Sequence, residues 1–328
     1  MRRRTLLAAF WIAFGLACLP ITAEAGESKL PRLGFLANHS ASWPPYQAFL
    51  AFLQTLRELG YVEGKNITIE ARYADDNFDR LPELARELVR LDVDLLFVSG
   101  DQGVKVAKEA SDTIPILVVA CDPIEKLVAS IARPAGKVTG VTCISSELAG
   151  KRLQILKELV PTLTDVAVLY NPDDRNKPFE YKDVQEAAQS MKLTLHAFEA
   201  NSPTAIDAAF GKMASDHDAQ ALMILADSYL NNRVKELADL SLKNRLPAIY
   251  GFREFADAGG LLSYGASLNW LNRRAASYVD RIFKGASAGD LPIEQPTTFE
   301  LLINLKTAKT LRVTVPSGVL AIADEVIE

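Results

Sequence analysis

The 328-residue sequence has little of what metal centres and catalytic sites are made from: it contains three histidines and three cysteines. His39, His196 and His217 are far apart, and none has a partner at the helical spacing of metal ligands, so we interpret each as a surface or capping residue. We also find no G-x-S-x-G elbow, no G-x-G-x-x-G after a strand, no P-loop and no C-x-x-C. We therefore expect no enzyme, no bound metal and no cofactor.

The sequence also lacks an excess of positive charge. It has 36 Lys and Arg against 41 Asp and Glu, a formal net charge of -5. Binding to nucleic acid requires Lys and Arg clustered on one face, so we do not expect a nucleic-acid partner. Hydrophobic residues make up 49% and charged residues 23%, proportions that exclude a disordered chain, and the length suits two lobes.

Long hydrophobic runs are missing except at the N-terminus. Residues 2–4 are arginines, residues 6–19 are apolar, and residues 23–25 read Ala-Glu-Ala. This pattern is typical of a secretory signal peptide, and it predicts cleavage before Gly26. The alternative, a retained membrane helix, is less favoured because Pro20 ends the run before the roughly 20 residues that a span needs.

The cysteines add two expectations about the exported protein. Residues 15–17, ahead of Cys18, match a lipobox poorly, so we do not expect a lipid anchor and place the mature chain free in the periplasm. Cys121 and Cys143 are then the remaining cysteines, which could pair in an oxidising compartment or stay as thiols. We favour thiols, because free cysteine is among the most buried residue types.

From Pro31 onward, short apolar runs alternate with segments of helical periodicity, the pattern of a parallel sheet covered by helices. This pattern occurs twice in succession. The sequence therefore predicts an α/β fold of two Rossmann-like, doubly wound lobes joined by a hinge of several strands. Strands are predicted at 31–38, 67–73, 94–99, 114–120 and 138–143, and then at 165–171, 193–198, 221–227 and 248–251.

The C-terminal stretch is too short for a third lobe. A strand at 261–264 and a helix at 268–284 precede a proline-rich connector and a strand at 299–305. We expect this stretch to return to the first lobe and then to cross once more. The predicted division is a signal peptide at 1–25, a first lobe of 26–144 plus 266–304, and a second lobe of 145–265 plus 305–328.

Polar and aromatic residues follow the predicted strands, where open α/β sheets bind ligands. We expect the following to contact a ligand: Asn38, Trp43, Tyr46, Ser99, Asp101, Gln102 and Asp122 from the first lobe, and Asn171, Asp227, Tyr229 and Tyr250 from the second.

These candidates have structural alternatives. Trp43 and Tyr46 could stack on a ligand or seal the top of the lobe. Ser99 and the residues after it could present a hydroxyl and backbone N–H groups to a carboxylate, or Ser99 or Asp101 could simply cap a helix. Asp227 ends an apolar strand, where a carboxylate is costly, so it is our main candidate for a ligand amine or hydroxyl. Its alternative is to cap the next helix.

A set of ordered segments is more specific than any single motif. The segments are LRELGYVEGKNI at 56–67, RLPELA at 80–85, IARP at 131–134, VTGV at 138–141, GKRL at 150–153, LPAIYG at 246–251, GGLLSYG at 259–265, NLKTAK at 304–309 and ADEVI at 323–327. Together they resemble one known family, the ABC-transporter substrate-binding proteins of the tryptophan/tyrosine type, and the resemblance covers nearly the whole mature chain.

The resemblance implies a type I periplasmic-binding fold that holds a small organic ligand, amino-acid-like or aromatic, between its lobes and delivers it to a cognate ABC permease and its ATPase. We expect a monomer that closes on its ligand. Two alternatives remain open: a receptor that passes its closed form to a signalling partner, and an exported enzyme on the same scaffold. A repressor of related fold is disfavoured, because the chain begins with an export signal and no helix-turn-helix.

Overall fold

The computed structural model describes residues 29–40, 46–121, 128–174, 177–216 and 219–328. These residues form two β-sheets, each with helices on both faces, which confirms the predicted α/β class with two lobes. The predicted signal peptide and Cys18 lie outside the described residues. In the described part, no helix has the length and apolar character needed to cross a membrane.

The first sheet contains five parallel strands in the order β2-β1-β3-β4-β5. Its central strands are almost continuously hydrophobic because helices cover both faces. The β4 sequence ILVVA, for example, is buried throughout. The strands are β1 (Arg32–Ala37), β2 (Thr68–Tyr73), β3 (Leu95–Ser99), β4 (Ile116–Ala120) and β5 (Val138–Thr142).

Among the described residues, four helices cover this sheet. Helices α2 (Leu81–Arg90) and α3 (Asp101–Ala110) pack side by side on one face. On the other face, α1 (Tyr46–Glu58) packs against α10 (Leu268–Phe283), which comes from the C-terminal part of the chain. Helix α10 also contacts β4 and β5 of the first sheet.

The second sheet contains seven strands in the order β12-β11-β10-β9-β8-β6-β7. All neighbours are parallel except β10 and β11, which are antiparallel. The strands are β6 (Asp165–Tyr170), β7 (Thr194–Glu199), β8 (Ala221–Ile224), β9 (Ala248–Tyr250), β10 (Leu262–Gly265), β11 (Glu300–Asn304) and β12 (Glu325–Ile327).

The helices of the second lobe again lie on both faces of their sheet. They are α4 (Ala149–Leu159), α5 (Lys177–Ser190), α6 (Pro203–Asp216), α7 (Ser228–Asn231), α8 (Val234–Lys243), α9 (Arg253–Asp257), α11 (Leu305–Leu311) and α12 (Ser317–Ala321).

Strand β11 corrects one predicted assignment. The sequence analysis placed 266–304 in the first lobe, but Leu262 to Gly265 of β10 pair with β11, so residues 300–304 belong to the second sheet. The crossing comes earlier, after Glu294, whose backbone still bonds to the first sheet at Gly140. A hydrophobic strand does not reveal from its own sequence which sheet it joins. The rest of the predicted domain division stays a prediction.

Arg152 joins the segment after β5 to the end of β10, two places where the chain passes from one lobe to the other. Its guanidinium is fully buried and donates to the carbonyl and hydroxyl oxygens of Ser145, at 3.1 and 2.9 Å, on the first crossing. It also donates to the carbonyl of Tyr264, at 2.8 Å, before the second. Burial lowers the pKa of Arg152 to about 10, with the charge of Glu180 opposing the shift. The hinge therefore has a fixed cationic centre.

Candidate functional site

A cleft lies where the carboxyl ends of strands from both sheets meet, as expected for open α/β sheets. The ends of β1, β3 and β4 form one side, and the ends of β8 and β9, with α7 and the start of α10, form the other. It encloses a cavity of about 80 Å³, several times the roughly 10–15 Å³ that one water molecule needs. The space suits a small molecule.

Aromatic side chains form the apolar wall of the cleft. Phe35 of β1 stacks on Phe49 of α1, with ring centroids 4.3 Å apart, and both line the cavity. Phe252, which follows β9, and Leu268 of α10 line it from other sides. Stacked or edge-on rings of this kind accommodate an apolar or aromatic group of a ligand.

Asn38 links the two lobes inside the cleft. It lines the cavity and is 1% exposed. Its Nδ2 donates to Oε1 of Gln102, at 2.8 Å, and to Oγ of Ser228 in the second lobe, at 3.4 Å. Its buried Oδ1 has no hydrogen-bond partner among the described residues. Buried polar atoms are almost always paired, so this oxygen is available to a donor on a ligand.

Gly100 gives α3 an open N-terminus beside Asn38. It has a positive φ of 106° and lines the cavity together with Ser99. Ser99 was predicted as a possible cap, but Gly100 occupies the N-cap position and no described side chain caps the helix. The backbone N–H groups of a first helical turn attract anions. The predicted Asp101 is the first residue of α3, and its side chain lies outside the description.

Asp227 lines the cleft from the second lobe and is 2% exposed. Its Oδ1 accepts from the backbone N–H of Leu230 at 2.8 Å, so it does cap α7, while its Oδ2 accepts from Nδ2 of Asn171 at 3.2 Å. Asn171 also accepts the N–H of Asp173 and lies behind Asp227 instead of lining the cleft. A ligand contact for Asp227 stays a prediction.

Two predicted tyrosines do not line the cavity. Tyr250 is fully buried, stacks on Phe255 at 4.4 Å and donates to Oγ of Ser241 at 3.0 Å. Burial raises its pKa far above the usual value. Tyr229 is also buried, beneath Arg233. Both rings pack in the core of the second lobe, and a ligand contact for either tyrosine stays a prediction.

Of the other predicted site residues, Trp43 and Asp122 lie outside the described part of the chain. Tyr46 begins α1, but its side chain is likewise outside the description. Sequence reasoning missed several cleft residues. Ser228 and Asn232 are on or just after α7, and Asn272 is one turn into α10. The sequence feature that could have identified them is an amide or hydroxyl side chain in or near the first turn of a helix at the cleft edge of the sheets.

His39 corrects the expectation of surface histidines. It is buried at 8% exposure against Phe35 and Tyr73, and its Nδ1 lies 2.9 Å from the carbonyl oxygen of Ser40. Burial lowers the pKa of His39, with the Ser40 contact opposing the shift. A neutral ring therefore lines the cavity. No group of three His, Cys, Asp or Glu side chains within the described residues could hold a metal ion.

Cys121 and Cys143 form a disulfide, which corrects the preference for free thiols. Their Cα atoms are 4.7 Å apart, because β4 and β5 are neighbours and each cysteine directly follows its strand at the same edge. Cys121 lines the cavity. The disulfide therefore fixes the floor of the cleft next to the first crossing between the lobes.

The chain matches a family model described as ABC transporter substrate binding protein over residues 44–327. Among curated proteins, it is 24% identical over 262 residues to a tyrosine-binding protein of Clostridioides difficile strain R20291. That match covers 79% of this chain and 75% of the relative.

Solved structures agree on the fold. A conserved domain protein of Vibrio cholerae superposes with a TM-score of 0.84 at 23% identity, covering 91% of this chain and 100% of that one. An ABC domain in complex with L-Trp from Streptococcus pneumoniae gives 0.83 at 22% identity with the same coverage. A ligand-free, open substrate-binding protein with adhesive properties from Clostridium difficile gives 0.66 at 20% identity, covering 91% and 99%.

Proposed function

Because the chain belongs to the ABC transporter substrate-binding protein family, we propose that it is the solute-binding component of an ABC importer and closes on a small amino-acid-like ligand. The observation that carries this proposal is the cleft, to which both lobes contribute polar groups that already meet, as Asn38 and Ser228 do. A ligand that contacts both lobes binds the closed form more tightly than the open form, and so favours closure.

The lining fits a zwitterion with an apolar or aromatic side chain. The N-terminus of α3 at Ser99 and Gly100 would receive the carboxylate, and Asp227 would receive the ammonium group. No Lys or Arg is among the described lining residues, so neutral donors would bind the carboxylate. Phe35, Phe49 and Phe252 would pack against the side chain. Two relatives are named for tyrosine and for a complex with L-Trp, and we propose an aromatic amino acid for this chain too.

The cellular setting follows from the same role. Cleavage after residue 25 would release the chain to the periplasm as a monomer, without a lipid anchor at Cys18. The closed form would then be recognised by a cognate permease with its ATPase. The ligand would be released unchanged, because binding and delivery require no chemical conversion.

The test is a ligand screen on the purified protein by thermal shift, followed by calorimetry. L-Tyr, L-Trp and L-Phe are compared with their D-enantiomers, non-aromatic amino acids, sugars and nucleosides. A ligand at 100 times its Kd adds about 2.7 kcal/mol, or a rise of several degrees at roughly 2–4 °C per kcal/mol. We expect a stereoselective response to an aromatic amino acid. A folded protein that responds to no amino acid, or that converts the ligand, would contradict the proposal.

A further inference from the structure

A second set of contacts joins the lobes at the rim of the cleft. Asp76 follows β2 of the first lobe, and its Oδ1 accepts a hydrogen bond from Nδ2 of Asn232 in the second lobe. Its Oδ2 lies 3.3 Å from Nη1 of Arg233. The Asp76 and Arg233 side chains are 24% and 17% exposed, so solvent screens this pair less than a surface ion pair. We call Asp76, Asn232 and Arg233 the rim clasp.

The first lobe holds Asp76 in place before any contact with the second. Asp75 and Asp76 both have a positive φ, 53° and 62°, a conformation that is uncommon outside glycine. The N–H of Asp76 donates to the carbonyl of Asn38 at 3.0 Å, and the carboxylate of Asp75 pairs with Arg80 at 2.6 Å. The backbone bond to Asn38 holds Asp76 at the edge that faces the second lobe, whereas the pair of Asp75 with Arg80 involves neither Asp76 nor the second lobe.

The second lobe positions Arg233 in a similar way. Its guanidinium carbon lies 3.7 Å from the ring centroid of Tyr229, and Nη1 donates to the Tyr229 carbonyl at 2.8 Å. Nε lies 3.9 Å from Oε2 of Glu236. Stacking on an aromatic ring fixes the plane of the guanidinium and favours its charge. Little side-chain freedom is therefore lost when Arg233 meets Asp76.

The rim clasp is connected to the ligand cavity. Asn232 lines the cavity and also donates to Asp76, while Asp76 is bonded through its backbone to Asn38, another cavity residue. Asp76 and Arg233 themselves do not line the cavity. Because the partners come from different lobes, opening the cleft separates them.

We propose that Asp76 and Arg233 are positioning residues that hold the closed form and thereby set how long the ligand stays bound, without contacting it. The inference rests on the proposed function, and it adds a determinant of ligand release to it. An interaction made only in the closed form stabilises that form alone, so its loss speeds opening and ligand dissociation.

The principal test compares D76N with D75N. Each substitution removes one negative charge from a residue with a left-handed backbone conformation, which asparagine tolerates. The two differ in the ion pair that is lost: Asp75 pairs with Arg80 within one lobe, whereas Asp76 pairs with Arg233 across the lobes. With L-Tyr and L-Trp as probes, we expect stopped-flow dissociation to be about tenfold faster in D76N, equivalent to about 1.4 kcal/mol. Association should change less than about threefold, and D75N should match the wild type.

Charge reversal tests the pairing itself. D76R should dissociate faster than D76N because two arginines then face each other across the rim, and D76R/R233D should recover part of the loss, a coupling that independent structural damage would not give. Raising the salt from 0.15 to 1 M should speed dissociation from the wild type more than from D76N.

Nitroxide labels on K105C and K212C, exposed positions of α3 and α6, report the opening of the lobes independently of any ligand. Without ligand, D76N should have longer label distances than D75N. If the wild type binds L-Tyr or L-Trp but D76N equals D75N in dissociation rate and label distance, the proposed role of the rim clasp is wrong and the proposed function stands. If the wild type binds neither probe, the proposed ligand is wrong. The label distances alone then decide whether the rim clasp holds the closed form.

Discussion

Nδ2 of Asn171 lies 3.2 Å from Oδ2 of Asp227, and both side chains are almost completely buried. The amide and the N–H of Leu230 together hold the carboxylate at the edge of the cleft. The strand end thus presents a fixed, solvent-shielded negative group, which is more useful to a ligand cation than an exposed carboxylate whose field is screened.

Asp227→Asn should weaken binding of an amino acid by about 10- to 100-fold, because a hydrogen bond to a charged group contributes about 1.5–3 kcal/mol. Asparagine is also a good N-cap, so the free energy of unfolding should fall by less than about 1 kcal/mol. Calorimetry and urea unfolding measure the two effects. D173N is the control, because Asp173 is nearby but does not line the cavity. Unchanged affinity in Asp227→Ala would rule out a ligand role.

Gly100→Ala should disrupt the cleft more than Gly60→Ala. Both glycines have a positive φ, 106° and 95°, which strains any other residue. A Cβ at Gly100 would lie 2.8 Å from Cγ of Asn38 and closer still to its Nδ2, whereas a Cβ at Gly60 meets no described atom within 4 Å. Gly60→Ala should lose about 1–3 kcal/mol of stability from strain alone. Gly100→Ala should lose more and also bind ligand weakly, as denaturation and calorimetry would show. Equal losses of stability in the two variants would show that the contact of a Cβ at position 100 with Asn38 has no effect.

Removing the disulfide should lower stability and leave the fold intact. The bond closes a loop with a sequence separation of 22 residues, for which chain entropy predicts about 3 kcal/mol. C121S/C143S should therefore unfold at lower urea, and a reducing agent should shift the wild type toward the variant while leaving the variant unchanged. A wild type that is insensitive to reduction, with a variant of equal stability, would contradict this.

Glu254 should make the protein less stable as the pH rises. Burial raises its pKa to about 7, assisted by the charges of Asp257 and Glu300 and opposed by Arg253, and its buried Oε2 has no partner among the described residues. The folded state keeps a proton on Glu254 that the unfolded state loses near pH 4.5. The contribution of this proton to the free energy of unfolding is therefore complete below pH 4.5 and is lost as the pH rises through 7.

The variant E254Q isolates this effect. Its free energy of unfolding should exceed that of the wild type by about 3 kcal/mol at pH 8, and the difference should shrink toward zero below pH 4.5. Urea unfolding across pH 4 to 8 measures it. A difference that does not change with pH would show that Glu254 titrates normally.

The sequence by itself determined the alternation of strands and helices, and hence two α/β lobes, because hydrophobic periodicity is a local property of the chain. It also placed Asn38, Ser99 and Asp227 at strand ends, and these residues line one cavity; their contact with a ligand stays a prediction. This placement depends on the rule that the carboxyl ends of parallel strands lie at one edge of a sheet.

Only the tertiary structure decided which side chains face that cavity and which complete the core. Tyr250 and Phe252 are two residues apart, yet Tyr250 is in the core and Phe252 lines the cleft. Cys121 and Cys143 pair because β4 and β5 are neighbours, and Asp76 meets Arg233 because the two lobes meet at the rim of the cleft. Such contacts join residues 22 and 157 positions apart, and the packing of the whole chain, which no local pattern records, brings them together.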